Sequence, residues 1–197
     1  MKLKCTVPTT DQAGEANRNW LERVISSLSL YKEEGEPRGS AEEIIDEAAQ
    51  RAFKISTGLG LVPGPLGMAT IVPEVAALTR LHINLIHRLA KHHGKQEKVN
   101  AELVLLVLGN AMGVAAGEVL LRRAGTTLVV KSVNTKIIRR LAGKIGTRIV
   151  DAAAGRAVAR WIPLVAAPIF GYFSRSLTRK IGREANRLLL REIEIET

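Results

Sequence analysis

Histidine and carboxylate side chains have the widest catalytic and metal-binding chemistry in this chain. The four histidines are His82, His87, His92 and His93. Two metal ligands on one helix must stand three or four residues apart to share a face, and no pair among His82, His87 and His92 does. No cysteine or carboxylate cluster completes a ligand set. The sequence therefore predicts neither a metal site nor a cofactor, and His92 and His93 are expected to cap a helix end.

Three carboxylates stand in surroundings that merit comparison with a catalytic acid or base. Glu74 fits a helix-capping role, whereas Glu118 is either a buried carboxylate or the partner of Arg122 one turn later. Asp151 can pair with Arg148 in the same way. No phosphate-binding glycine loop, HExxH or GxSxG motif is present. The sequence thus predicts structural roles for all three carboxylates and no enzyme activity.

Basic side chains are the stronger chemical signal, and they concentrate in one part of the chain. Residues 1–118 hold 13 Lys or Arg against 14 Asp or Glu, whereas residues 119–197 hold 16 against 5. The formal net charge of +10 therefore arises from the C-terminal two-fifths. Such asymmetry indicates an anionic partner, although a merely soluble basic face is the simpler alternative.

The region 137–160 is predicted to be an amphipathic helix with a basic side. Apolar residues from Ile138 to Ile149 recur at helical spacing, and the basic residues recur at multiples of four. The side chains expected to contact an anionic surface, with an indole at the interface, are Arg140, Lys144, Arg148, Arg156, Arg160 and Trp161.

An uncharged stretch of nineteen residues lies between Lys54 and Glu74. Its prolines prevent one straight helix, and a loop in lipid would leave backbone groups unpaired, so protein should surround it. We therefore predict a buried turn that sets one helix against the next, called the Gly/Pro elbow. Its residues are Gly58, Gly60, Pro63, Gly64, Pro65, Gly67, Pro73 and Glu74.

This elbow, the following Ile71-Val72-Pro73-Glu74 and an apolar helix with a basic His-Gly end together resemble the bacterial EcsC family. The later segment from Trp161 to Gly171, WIPLVAAPIFG, is similar to that family's Pro-containing turn before its last helix. The resemblance covers roughly residues 40 to 190. It implies a small helical protein, often associated with membranes, and it implies no catalytic residues.

The remaining elements are predicted from capping and periodicity. Ser40 and Glu43 form a capping box at a helix start, and Gly94 closes the helix that follows the elbow. We expect Pro73 at the first position of that helix. The β-branched segment Thr126–Val130 is expected to be a loop, because nothing else in the chain is an evident strand partner.

Two further helical segments complete the predicted order. The apolar region Leu103–Val119 holds two overlapping GxxxG patterns and is expected to contain a helix. The last helix is predicted from Ile169 to about Ile193, after a turn at Pro163 and Pro168. Its exposed residues are expected to be Arg175, Arg179, Lys180, Arg183, Arg187 and Arg191.

The predicted fold is all-α: one bundle of five to seven helices with two Gly/Pro-rich apolar elbows. Residues 1–14 form a mobile lead, 15–39 an N-terminal helix and linker, and 40–197 the EcsC-like domain. Cys5 is the only cysteine and no signal peptide is evident, so a cytoplasmic location at the inner face of the membrane is expected.

The predicted function is non-enzymatic, peripheral association with an anionic membrane through the basic C-terminal half. The first alternative is a soluble assembly protein, in which that half binds an acidic partner chain, a second copy, or the chain's own acidic N-terminal half. The second alternative is binding to a nucleic-acid backbone, for which no readout motif is visible.

Overall fold

Six α-helices and three short strands make up the described part of the chain. The computed structural model describes residues 38–62, 71–124, 127–159 and 163–196. The predicted lead and N-terminal helix lie outside these ranges, as does half of the Gly/Pro elbow, namely Pro63, Gly64, Pro65 and Gly67. The elements are α1 (Ala41–Gly60), α2 (Ile71–His92), a 3-10 turn (Gln96–Lys98), α3 (Ala101–Ala111), α4 (Gly117–Leu120), β1 (Leu121–Ala124), β2 (Thr127–Val130), α5 (Thr135–Ala159), α6 (Pro163–Leu189) and β3 (Ile193–Ile195).

The start of α1 is the predicted capping box. The Ser40 hydroxyl accepts a hydrogen bond from the Glu43 amide at 3.3 Å, and the Glu43 carboxylate accepts one from the Ser40 amide at 2.7 Å. The helix then continues through Gly58 and Gly60, so these two glycines belong to its last turn. Assigning these two positions to a turn was wrong: Gly60 packs close to Ala167 within the helix, whereas Gly58 is exposed and a Cβ added there would contact nothing within 4 Å.

Helices α1 and α6 pack antiparallel along a seam of small residues. Ser56 and Ser174 share a hydrogen bond of 2.6 Å, and both side chains are buried. A Cβ added to Gly60 would lie 3.4 Å from the Ala167 Cα, and one added to Gly182 would lie 2.7 Å from the Ile45 Cγ1. The absence of larger side chains on α6 therefore allows the two helices to approach closely over their whole shared length.

Helix α2 covers α1 and α6 and leads into a second layer formed by α3. It begins at Ile71, so Pro73 is its third residue rather than its first. Its end is as predicted, since Gly94 takes a φ of 65°. His93 does not cap the helix; its Nε2 lies 2.7 Å from the Asn186 Oδ1 on α6.

Helix α3 is an almost wholly buried apolar rod, and it ends earlier than the apolar segment. Asn100 caps it by accepting from the Leu103 amide at 2.8 Å. The chain turns at Gly113, whose φ is 74°. The second GxxxG pattern, from Gly113 to Gly117, therefore spans a turn instead of one helix.

A small sheet corrects the all-α prediction. Strand β1 pairs antiparallel with β2, and β2 pairs parallel with β3. Leu128, Val130 and Ile193 point into the core, which covers one face of the sheet. The loop expected at Thr126–Val130 is thus β2 from Thr127 onward; one of its partners lies at the far end of the chain. The predominantly helical character is confirmed.

The last helix begins and ends earlier than predicted. Pro163 is its first residue, where a missing amide hydrogen costs little. Pro168 lies inside the helix rather than in a preceding turn. The helix stops at Leu189 because Ile193 joins the sheet instead. None of the helices in the described ranges is both long and apolar enough to cross a membrane.

Replacing Gly182 with Ala should destabilise the fold, because the new methyl group would collide with Ile45 on α1. We expect a loss of about 1–3 kcal/mol in the free energy of unfolding, as for other overpacked cores, measured by urea denaturation. The matched control is Gly143→Ala on α5, where an added Cβ would contact nothing within 4 Å. It should gain up to about 1 kcal/mol from helix propensity. Equal stability of Gly182→Ala and the wild type would contradict close packing of α1 and α6.

Candidate anion-binding surface and adjoining cavity

The first basic row of the candidate surface lies on α5. Arg140, Lys144 and Arg148 stand four residues apart and are exposed, while Leu141 and Ile145 on the adjoining side of the helix are buried. The helix therefore presents these three cations to solvent, as its periodicity predicts. Arg156 falls within α5, but its side chain is not described; Arg160 and Trp161 lie outside the described residues.

A second basic row lies on α6. It lines a groove of about 530 Å³ together with Asn110 and Ala111 of α3, and the groove's basic residues are Arg175, Arg179, Lys180, Arg183 and Arg187. All five were predicted to be exposed but not to belong to the site; Lys180, Arg183 and Arg187 are exposed, whereas Arg175 and Arg179 are half-buried. Their periodicity was visible, yet nothing local indicated that α3 would supply the other wall of a groove.

Large apolar side chains continue the outer side of α6 toward its N-terminus. Ile169 is 60% exposed, Tyr172 71% and Phe173 47%. Exposed residues of this size are unusual as a group on one stretch of helix and mark a contact surface. Because Arg175 and Arg179 follow within two turns, α6 joins an apolar patch to a basic row. We call the exposed side chains of α5 and α6 together the basic–apolar surface.

Some of these cations are neutralised by neighbours. The Arg179 Nε lies 2.8 Å from the Asp46 Oδ1 of α1, and Arg187 pairs with Glu184 at 2.7 Å. Burial would raise the pKa of the Glu184 carboxyl, but hydrogen bonds from Arg187 and Asn110 outweigh burial and lower that pKa. The Glu184 carboxylate therefore stays ionised at neutral pH and offsets part of the charge of the row.

Other cations on the surface form no salt bridge with the residues that the structure describes. Arg148 on α5 and both Lys180 and Arg183 on α6 make none within these ranges, although the charge of Lys180 interacts with the Glu184 carboxylate. Their charges are accordingly available to an external anion.

A cavity of about 330 Å³ separates α5 from α2 and α6 and lies between the two basic rows. Its walls are mainly apolar, and both Arg148 and Lys180 line it. The other described lining residues are Val75, Leu78, Thr79, His82, Ala111, Met112, Ile149, Phe173, Ser176 and Leu177. Since Arg148, Phe173, Ser176 and Lys180 are exposed and Leu78, Thr79 and His82 are buried, the cavity leads from the surface into the core.

His82 is part of the polar chain in the core that borders this cavity. Its Nε2 lies 3.0 Å from the Thr178 Oγ1, and the Thr178 hydroxyl donates to the Ser174 carbonyl at 2.8 Å. Thr178 can then only accept from His82, so Nε2 is the protonated nitrogen of the ring. Burial lowers the pKa of His82 to about 4. The neutral ring is therefore suited to holding α2 against α6.

The other residues considered for chemistry are not brought together. Glu74 is buried at the start of α2, Glu118 is exposed on α4, and the side chain of Asp151 is not described. Within the described ranges, no three histidine, cysteine or carboxylate side chains form a group that could hold a metal ion.

Comparison with known proteins does not add to this picture. No family model, no curated protein and no solved structure matches the chain. The resemblance to the EcsC family therefore stays a prediction from the residues quoted for it.

The free energy of unfolding should fall on acidification because of His82. Unfolded His82 takes up a proton as the pH falls through about 6.5, whereas folded His82 does so only near pH 4. Neutral His82 therefore makes its full contribution to the free energy of unfolding above pH 6.5. That contribution is lost as the pH falls from 6.5 to 4. Between pH 7 and pH 5 we expect a loss of about 2 kcal/mol, measured by urea denaturation.

The control is His82→Gln, which keeps an N–H donor for Thr178 but cannot titrate. Between pH 7 and pH 5 the free energy of unfolding of this variant should fall by about 2 kcal/mol less than that of the wild type. The same pH dependence in wild type and His82→Gln would show that the ring is not held neutral in the core.

Proposed function

We propose that this protein associates peripherally with anionic membranes through the basic–apolar surface of α5 and α6. The observation that supports the proposal best is the exposed patch of Ile169, Tyr172 and Phe173 on the same helix as the second basic row. A purely soluble basic face explains the cations, but it does not explain exposed aromatic side chains beside them.

The basic and the apolar parts of the surface would contribute to the free energy of binding in different ways. Basic side chains close to anionic lipid add roughly 1 kcal/mol each, a term that weakens with salt. Apolar side chains that enter the interface add about 25 cal/mol for each Å² removed from water. Tyr172 suits this position because its ring is apolar and its hydroxyl can stay hydrated.

Peripheral binding agrees better with this arrangement than insertion does. The long apolar segment of α3 is buried by its neighbours, and it ends after Ala111. The acyl region would be reached by side chains of α6 rather than by a spanning helix. The cytoplasmic leaflet is the proposed target because its anionic lipids carry the required charge. Arg156, Arg160 and Trp161 are proposed to extend the same surface.

A soluble assembly function is the second proposal, and one specific observation favours it. Asp46 in the acidic first turns of α1 pairs with Arg179 on α6. An acidic segment of another chain or a second copy could occupy the remaining cations in the same manner. Light scattering at low and high salt separates the two proposals, since assembly through these charges would dissociate at high salt without any lipid present.

Replacing Arg140, Lys144 and Arg148 together with Gln should weaken binding to vesicles that contain phosphatidylserine. The expected loss is about 3 kcal/mol, or roughly 150-fold in affinity, if all three cations lie near headgroups. Co-sedimentation with vesicles measures it. The helical circular dichroism should not change, because all three side chains are exposed.

The matched control removes three exposed charges from elsewhere: Arg38→Gln, Lys54→Gln and Arg80→Gln. This variant has the same net charge as the first, so it should retain most of the affinity if binding is localised to the basic–apolar surface. Equal weakening by both variants would attribute binding to net charge alone. Equal binding of the wild type to neutral and anionic vesicles would overturn the proposal.

A further inference from the structure

The cavity between the two basic rows has the features of a ligand site. Neither the packing of α5 and α6 nor their proposed contact with a membrane requires it. Its volume of about 330 Å³ is at the lower end of the range for small-molecule pockets. It leads from exposed side chains to a buried floor at Leu78 and His82. A cavity of this kind in a core otherwise filled by Leu, Ile and Val leaves apolar surface uncovered.

The walls of the cavity favour an acyl chain. Val75 and Leu78 from α2, Ile149 from α5 and Leu177 from α6 are apolar. At the floor the His82 Nε2 is already bonded to Thr178, and burial keeps the ring neutral. The described floor residues therefore carry no charge, and an occupant gains most there from hydrophobic burial.

The outer end of the cavity favours an anion. Arg148 and Lys180 line it from different helices, both are exposed, and neither makes an ion pair within the described residues. Among the cavity's described lining residues there is no carboxylate. A negatively charged group at this end would meet two cations, one of which, Lys180, also interacts with the Glu184 carboxylate outside the lining.

We propose that the cavity binds a single-chain anionic amphiphile, with its acyl chain against Leu78, Ile149 and Leu177 and its anionic head between Arg148 and Lys180. A carboxylate and a phosphate head share the required chemistry. The volume favours one chain over the two chains of a bilayer phospholipid. The proposal rests on the proposed membrane function, with which it shares Arg148 and Lys180. It concerns binding of a dissolved monomer, however, and can be tested without a membrane.

Titration calorimetry with fatty-acid anions in monomeric solution tests the site. Affinity should rise about fourfold for each methylene added from octanoate to dodecanoate, until the cavity is full. Decanol, which has the same chain without the charge, should bind at least tenfold more weakly than decanoate. Monodecyl phosphate compared with decanoate distinguishes a phospholipid-derived head from a fatty acid, and binding of either supports the site. Equal affinity for decanol and decanoate, or no binding of either anion, would overturn it.

Substitutions in and beside the cavity test where decanoate binds. Lys180→Gln should weaken decanoate binding about tenfold, whereas Arg183→Gln, which removes an exposed charge on the same helix outside the cavity lining, should leave it unchanged. Leu177→Trp should fill the cavity and abolish binding while the melting temperature is kept or raised. Should Leu177→Trp disrupt folding, Ile149→Phe provides the same test from α5. Decanoate binding that survives in a folded cavity-filled variant would refute the site.

The two proposals fail in different ways. Leu177→Trp retains every charge of the basic–apolar surface, so it should bind anionic vesicles like the wild type. Vesicle binding without decanoate binding in the wild type would overturn the cavity proposal alone. Decanoate binding without vesicle binding would overturn the membrane proposal alone.

Discussion

The close antiparallel packing of α1 against α6 is the constraint on which the rest of the structure depends. Gly182 leaves room for Ile45, and the Ser56–Ser174 hydrogen bond satisfies two buried hydroxyls at the contact. Small residues bring the helix backbones close, which makes many weak dispersion contacts available at once. Since one side of α6 packs in this seam, its remaining residues must face α2, α3, α5 or solvent.

The position of the basic–apolar surface follows from the packing of α6 against α1. The outer side of α6 carries exposed Tyr172 and Phe173 and then the second basic row. Helix α5 adds the first row, and its residues Arg148 and Ile149 close the outer side of the cavity opposite α2. His82, bonded to Thr178, supplies the floor and ties α2 to α6. One helix thus links the core, the cavity and the exposed surface.

Local signals in the sequence were sufficient for much of the fold. The capping box at Ser40, the turn at Gly94 and the exposed cations of α5 depend on residues close together in the chain, and the structure contains all three. The sheet was missed because β2 pairs with β3 more than sixty residues later, and short strands carry no local signal strong enough to reveal such a partner.

The candidate site was only partly predictable for the same reason. Periodicity indicated both basic rows, but their meeting at one cavity depends on how α2, α3, α5 and α6 pack. Because proline usually interrupts helices, the sequence predicts a turn at Pro168, yet Pro168 lies about one turn into α6, where few backbone bonds are lost.

The central claim is that the outer side of α6 enters the interface of an anionic membrane. It is tested most directly by the depth of a nitroxide label at Tyr172→Cys, in a chain whose only other cysteine is removed by Cys5→Ser. Added vesicles containing phosphatidylserine should raise the label's collisions with oxygen relative to those with a water-soluble nickel chelate. A label at Lys54→Cys, exposed on α1, should stay in water. A Tyr172 label as accessible to the chelate with vesicles as without them would contradict the account.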